Sequence, residues 1–174
     1  MSNKLPSREQ AIAILQKNQC PPKVIEHCQA VAALALELAK QIEAKNHKIN
    51  LQLVEIGALL HDIGRSKTHT VDHAIVGAKL AEKVNLPQPV VSIIKRHVGA
   101  GITAEEAQWL GWPEDNYIPQ TIEEKIVSYA DKLIDNSKRI PVEVTIKQLR
   151  SEKMDDAAER VRKLHEEITS LLEA

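Results

Sequence analysis

Apolar residues recur along this chain at intervals of three and four, the spacing of one face of an α-helix, and no alternating β-branched run is long enough to insist on a strand. The reading is all-α. Ser7 followed by Gln10 predicts a capping box opening a first helix to about Asn18, and Pro21-Pro22 starts a longer one reaching roughly Lys45. Asn50 begins a third, which carries Leu51, Val54, Ile56, Leu59 and Leu60 into His61-Asp62-Ile63-Gly64, where the glycine is expected to end it. Asp72 reads as the cap of a fourth helix to about Asn85, and Pro87 opens a fifth ending near His97. Thr103 with Glu106, and Thr121 with Glu124, predict capping boxes for helices near 104–110 and over 122–137. Pro141 opens a further helix. From 155 to 172 an amphipathic surface helix keeps Val161, Leu164, Ile168, Leu171 and Leu172 on one stripe among many charges.

Some polar residues fall on these apolar stripes. His27 sits in the series Val24, Cys28, Val31, Ala35, Leu38, and His73 in the series Val76, Gly77, Leu80, Val84. His97 continues the row Val90, Ile93, Ile94, while Asp131 follows Val127 by four and precedes Ile134 by three. His61 and Asp62 come directly after Leu59-Leu60. One inward histidine reads as a hydrogen-bonded core residue, and a lone buried carboxylate costs several kcal/mol. Four histidines and two aspartates aimed inward from five helices call for a shared partner, and a divalent cation compensates both residue types. His47 and His69 read as loop residues, and His165 borders a stripe without an assigned role.

Imidazole and carboxylate without thiolate favour Mn, Fe, Co, Ni or Zn over Ca, with Mg alone a poorer fit. Six ligands suggest two ions: His27, His61, Asp62 and Asp131 for one, and His73 with His97 for a second, bridged by Asp62. Two ions about 3.5–4 Å apart suit an in-line displacement at phosphorus. Arg65 and Lys67 after the doublet, and Lys95 and Arg96 beside His97, are candidates to receive a substrate phosphate. Trp109, Trp112 and Tyr117 cluster between Gly99-Ala100-Gly101 and Pro119, either as a lid over a base or as local core anchoring the short helix.

The 174 residues fit one domain over 1–174. With 23 basic and 24 acidic residues the net charge is −1, so no bulk field draws the chain to a nucleic-acid polymer or a membrane. Aromatics are 2% and Phe is absent, which leaves Leu, Ile, Val and Ala to fill the core. Cys20 and Cys28 make no disulfide framework, and residues 1–6 show no apolar leader, so the cytoplasm is the expected compartment. GxSxG and GxxxxGK patterns are absent. The charged last helix can pack on its own bundle or on a neighbour's, which makes a homodimer possible.

His27, then LLHDIG around His61-Asp62, then DHAIVGAKLAE at 72–82, IIKRHVG at 93–99 and EEKIVSYADKLID at 123–135 resemble, in order, the motifs of the HD superfamily of metal-dependent phosphohydrolases. The resemblance covers roughly 24–140. It implies an all-helical bundle with His27, His61, Asp62 and Asp131 as metal ligands, and with His73 and His97 matching the extra histidines of dinuclear members. The layout is similar to that of bacterial HD hydrolases of dinucleoside tetraphosphates. No GYP tripeptide follows, unlike the cyclic-di-GMP phosphodiesterases. The implied activity is hydrolysis of a nucleotide or another small phosphate ester or anhydride, with His61 and Asp62 at the catalytic centre. Two alternatives stand beside it: a mixed-valence di-iron oxygenase, since some HD relatives resemble this ligand count, and a regulatory module that binds a nucleotide without turning it over.

Overall fold

Caps and prolines set the helix starts in the computed structural model, which describes residues 4–174; residues 1–3 of the stretch read for a leader lie outside it. Ser7 and Gln10 close a reciprocal capping box on α1 (Arg8–Lys17), and Pro22 is the first residue of α2 (Pro22–Glu43). Asn50 accepts from the Leu53 amide at the start of α3 (Leu51–Leu60). There follow α4 (His73–Lys83), α5 (Gln88–Arg96), α6 (Ala104–Trp109), α7 (Ile122–Lys132), α8 (Val142–Ser151) and α9 (Asp155–Glu173). Among the described residues the only sheet is a hairpin of two-residue strands, β1 (Ile134–Asp135) and β2 (Lys138–Arg139).

Four local readings need correction. The helix expected over 122–137 stops at Lys132, because Asn136 takes a left-handed φ of 55° and closes the turn that pairs Ile134 with Arg139 and Asp135 with Lys138. At the start of α7 the box is one-sided: Thr121 accepts from the Glu124 amide, but the Glu124 carboxylate goes to Arg96 and to the Gln120 amide. Asp72 stands at the N-cap of α4 without capping it, and its carboxylate accepts from the Trp112 indole at 2.7 Å instead. Gly64 does not end α3 either. It lies inside a 3₁₀ turn over Ile63–Ser66, and a Cβ there would stand 1.9 Å from the His73 carbonyl oxygen and 2.7 Å from the Gly77 nitrogen. Its role is close approach of two backbones.

α3 is the axis of the bundle. Its Val54, Ile56, Leu59 and Leu60 are fully buried, each fully buried aliphatic side chain contributing about 1.5–3 kcal/mol, and the helix packs on α2, α5, α7 and α1. α9 covers its own bundle, lying on α7, α8 and the turn after α5 with Ala158, Val161 and Ile168 fully buried. Ala74, Ile102, Ala107, Trp112 and Tyr117 form a second, smaller core. None of the described helices is long and apolar enough to cross a membrane.

Candidate metal centre

Five helices deliver six side chains to one point, most of them at helix ends. His27 lies in α2, His61 is the C-cap of α3 with Asp62 next, His73 opens α4, His97 is the C-cap of α5, and Asp131 is the penultimate residue of α7. His27 Nε2 is 2.9 Å and His61 Nε2 3.3 Å from Asp131 Oδ1. On the other side, Asp62 Oδ1 lies 3.2 Å from His73 Nε2 and 3.3 Å from His97 Nε2, which are 3.0 Å from each other. Asp62 Oδ2 faces His61 at 3.6 Å and His27 at 3.8 Å, so this carboxylate spans both sides.

The ring orientations decide what such a cluster can hold. Each Nδ1 faces a backbone carbonyl, which can only accept: Asn136 for His27 at 2.7 Å, Ala58 for His61 at 2.6 Å, Thr70 for His73 at 2.8 Å and Ile94 for His97 at 2.7 Å. The four Nδ1 atoms therefore carry hydrogen, and in the neutral rings the four Nε2 lone pairs converge on carboxylate oxygens. Lone pairs facing lone pairs repel unless a cation lies between them. His61 Nε2 is buried with no hydrogen-bond partner at all, the kind of polar atom that otherwise costs about 1–3 kcal/mol. His27, His61 and Asp131 bring one ligand atom each within 4.8 Å of one another, as do His61, Asp62 and His97. The residues present fit one or two metal ions.

Charges within the cluster follow its contacts. Burial opposes ionisation of both acids, yet His61, His73 and His97 hold Asp62 well below the usual carboxylate range, and Lys132 with His61 and His27 does the same for Asp131. Burial also opposes protonation of His61, but the charges of Asp62 and Asp131 keep it well above the ordinary histidine value. Burial and the neighbouring imidazoles push His97 down to about 4.

A cavity of about 520 Å³ opens on His27, Asp62 and Asp131. Arg65 lines it, donating from Nε to Asp62 Oδ2 at 3.0 Å and from Nη1 to the His69 carbonyl at 3.2 Å. The other three expected phosphate cations are not in its walls. Lys95 is paired with Asp115, Arg96 donates from Nη1 to both carboxylate oxygens of the buried Glu124 and from Nε to the Asn116 carbonyl, and Lys67 is exposed. Two cations stand there instead, Lys23 and Lys132. Lys132 is the neighbour of Asp131 in sequence and reaches its Oδ2 at 2.9 Å, because α7 ends there and the long side chain is free to turn back. His69, read as a plain loop residue, also lines the cavity. The lid reading fails: Trp112 and Tyr117 are buried edge to face at 5.0 Å in the second core, while Trp109 is 86% exposed and anchors nothing. His165 joins the Tyr129 hydroxyl at 2.6 Å, away from the cluster.

The sequence matches the HD domain family over residues 24–135. An uncharacterised protein of Methanocaldococcus jannaschii is 45% identical over 94% of this chain and 98% of its own length. A tRNA (cytidine(56)-2'-O)-methyltransferase of Picrophilus torridus is 42% identical over 96% of this chain, and the chain spans 48%, about half, of that relative. Among solved structures, the HD domain of the L. monocytogenes phosphodiesterase PgpH in complex with cyclic-di-AMP superposes with a TM-score of 0.58 over 91% of this chain and 95% of that one, at 20% identity; the likeness is one of fold.

Proposed function

This chain belongs to the HD domain family, and on that premise we propose that it is a metal-dependent phosphohydrolase acting on a nucleotide or another small phosphate ester or anhydride. The observation that carries the reading is the inward convergence of four Nε2 atoms and two carboxylates on a point where His61 Nε2 has no partner. His27, His61, Asp62 and Asp131 would hold one divalent ion of Mn, Fe, Co, Ni or Zn, and His73 with His97 a second, with Asp62 between them. When bound, the metal supplies Lewis-acid polarisation of the phosphoryl group and acidification of the attacking water.

The protein's own residues do the rest. Asp62 is anchored by Arg65 at 3.0 Å, which fixes the carboxylate that orients the water. Arg65, Lys23 and Lys132 stand where a phosphoryl group would enter and balance its negative charge. The four backbone carbonyls fix the imidazole tautomers, so no ring has to reorient before a ligand binds.

Metal analysis of the purified protein, followed by a phosphate-release screen of nucleotides and simple phosphate esters with each ion, tests the proposal. We expect turnover with at least one ion and its loss in Asp62→Asn; full turnover in that variant overturns the mechanism. Two irons with oxygen-consuming chemistry would replace it with an oxygenase. Tight nucleotide binding without product under any ion would make the chain a regulatory module.

A further inference from the structure

Two chemically different sets of side chains line the cavity over the metal centre. One is the cations Lys23, Arg65 and Lys132; the other, a wall built by the hairpin, the link after it and α8, is Ile134, Ile140 and Val144 together with the carboxamide residues Asn136 and Gln148. All of this wall except Ile134 lies beyond the residues that match the family. It is nevertheless tied to the centre. The Asn136 carbonyl accepts from His27 Nδ1 at 2.7 Å, and the Thr145 hydroxyl of α8 donates to the Lys132 carbonyl at 2.6 Å. The wall therefore sits in fixed register with a metal ligand and with a phosphate-facing cation.

Its chemistry selects a ligand class. Val144 is 49% exposed, an aliphatic side chain left open at a site otherwise lined largely by charged and polar groups. Beside it, the Gln148 amide nitrogen donates to Glu152 at 3.1 Å, which leaves the side-chain oxygen to accept. A flat heterocycle laid on aliphatic carbons, with carboxamides at its edge, satisfies both features; a bare sugar phosphate satisfies neither. A volume of about 520 Å³ suits one nucleotide.

Resting on the phosphohydrolase reading, we propose that the hairpin and α8 form a nucleobase subsite. A mononucleotide lies with its phosphate against Lys23, Arg65 and Lys132, its base on Ile140 and Val144, and the base edge hydrogen-bonded by Asn136 and Gln148. These residues, and no part of the ligand cluster, set the preference among bases.

The test compares binding of non-hydrolysable nucleoside 5′-phosphonates with that of ribose 5-phosphonate, by calorimetry on the metal-loaded full chain. At least one nucleoside compound is expected to bind about tenfold tighter or more. Val144→Asp brings that ratio close to one, and Gln148→Ala changes the order of preference among bases; both positions are exposed, so both variants keep the fold. Equal affinities in the unaltered protein overturn the proposal, as does a ratio and base order retained in both variants. A 5′-phosphorylated oligonucleotide binding far tighter than any mononucleoside compound also overturns it, in favour of a strand end. Base-selective binding without phosphate release under any ion keeps the subsite and removes the hydrolase reading. Phosphate release with no base selectivity does the reverse.

Discussion

The cluster has an open half and a closed half joined through Asp62. In the first, the side chains of His27 and Asp131 are 16% and 13% exposed on the cavity floor; in the second, those of His73 and His97 are 5% and 2% exposed. Both halves use the same ligand chemistry and the same carbonyl braces, and they differ most plainly in access. On the proposed function, substrate and water would reach the open half directly, and the closed half would act on them through Asp62, whose two oxygens face opposite ways.

The sharpest way to break this division is to remove one ligand from each half. Asp131→Ala should abolish turnover, by more than the roughly 10–100-fold that supporting partners of a metal site are worth, and empty the open half. His97→Ala should cost one equivalent of metal while the open half stays loaded. Metal content by mass spectrometry decides; loss of both ions from His97→Ala would mean that the halves are not separable.

Next in size is stability. An ion held at about 100 times its Kd adds roughly 2.7 kcal/mol, so chelation should lower the Tm by about 5–10 °C in a domain of this length. His97→Ala should reduce that shift without removing it, as read by differential scanning calorimetry.

Proton release offers a finer contrast. The charges of Asp62 and Asp131 raise the His61 pKa in the metal-free chain, so a metal binding at its Nε2 competes with a proton there. His97, pushed down to about 4, has none to give. Metal uptake involving His61 should therefore strengthen as pH rises through the neutral range, with proton release visible when calorimetry is repeated in buffers of different ionisation enthalpy. In the metal-free chain the sign is opposite. The raised His61 pKa contributes stability that is present below the unfolded histidine value and lost as pH rises through the folded one.

The smallest expected effect falls on the brace of the closed half. Ser128 is buried and its hydroxyl donates to the His97 carbonyl at 3.0 Å. Ser128→Ala should cost about 1 kcal/mol and weaken only the closed-half ion, whereas Trp109→Ala, at an exposed site, should change stability by less than about 0.5 kcal/mol. Thermal melts with metal titration separate the two.

The helices and the inward face of candidate ligands within them were legible because period 3.6 leaves no choice of side once Val24, Val31 and Ala35, or Val127, are taken as core; Ile134, counted in the same phase, lies beyond the end of α7. What escaped depends on partners remote in sequence. Nothing local to Arg96 says that Glu124, 28 residues away, holds it, and nothing local to Asp72 announces Trp112. The hairpin escaped because its strands are two residues long and its turn rests on one asparagine with positive φ. Lys132 escaped because sequence neighbours diverge in the middle of a helix, whereas this one stands at the end of α7, where its side chain can turn back to Asp131.

Gly64 gives the molecule a dimension that no side chain could supply. Because only a hydrogen fits opposite the His73 carbonyl, the turn carrying Asp62 and the first residue of α4 meet main chain to main chain. The gap between them is then fixed by bond lengths and van der Waals radii, as a gauge block sets the jaws of a jig. No rotamer lies in that seam to wear it loose.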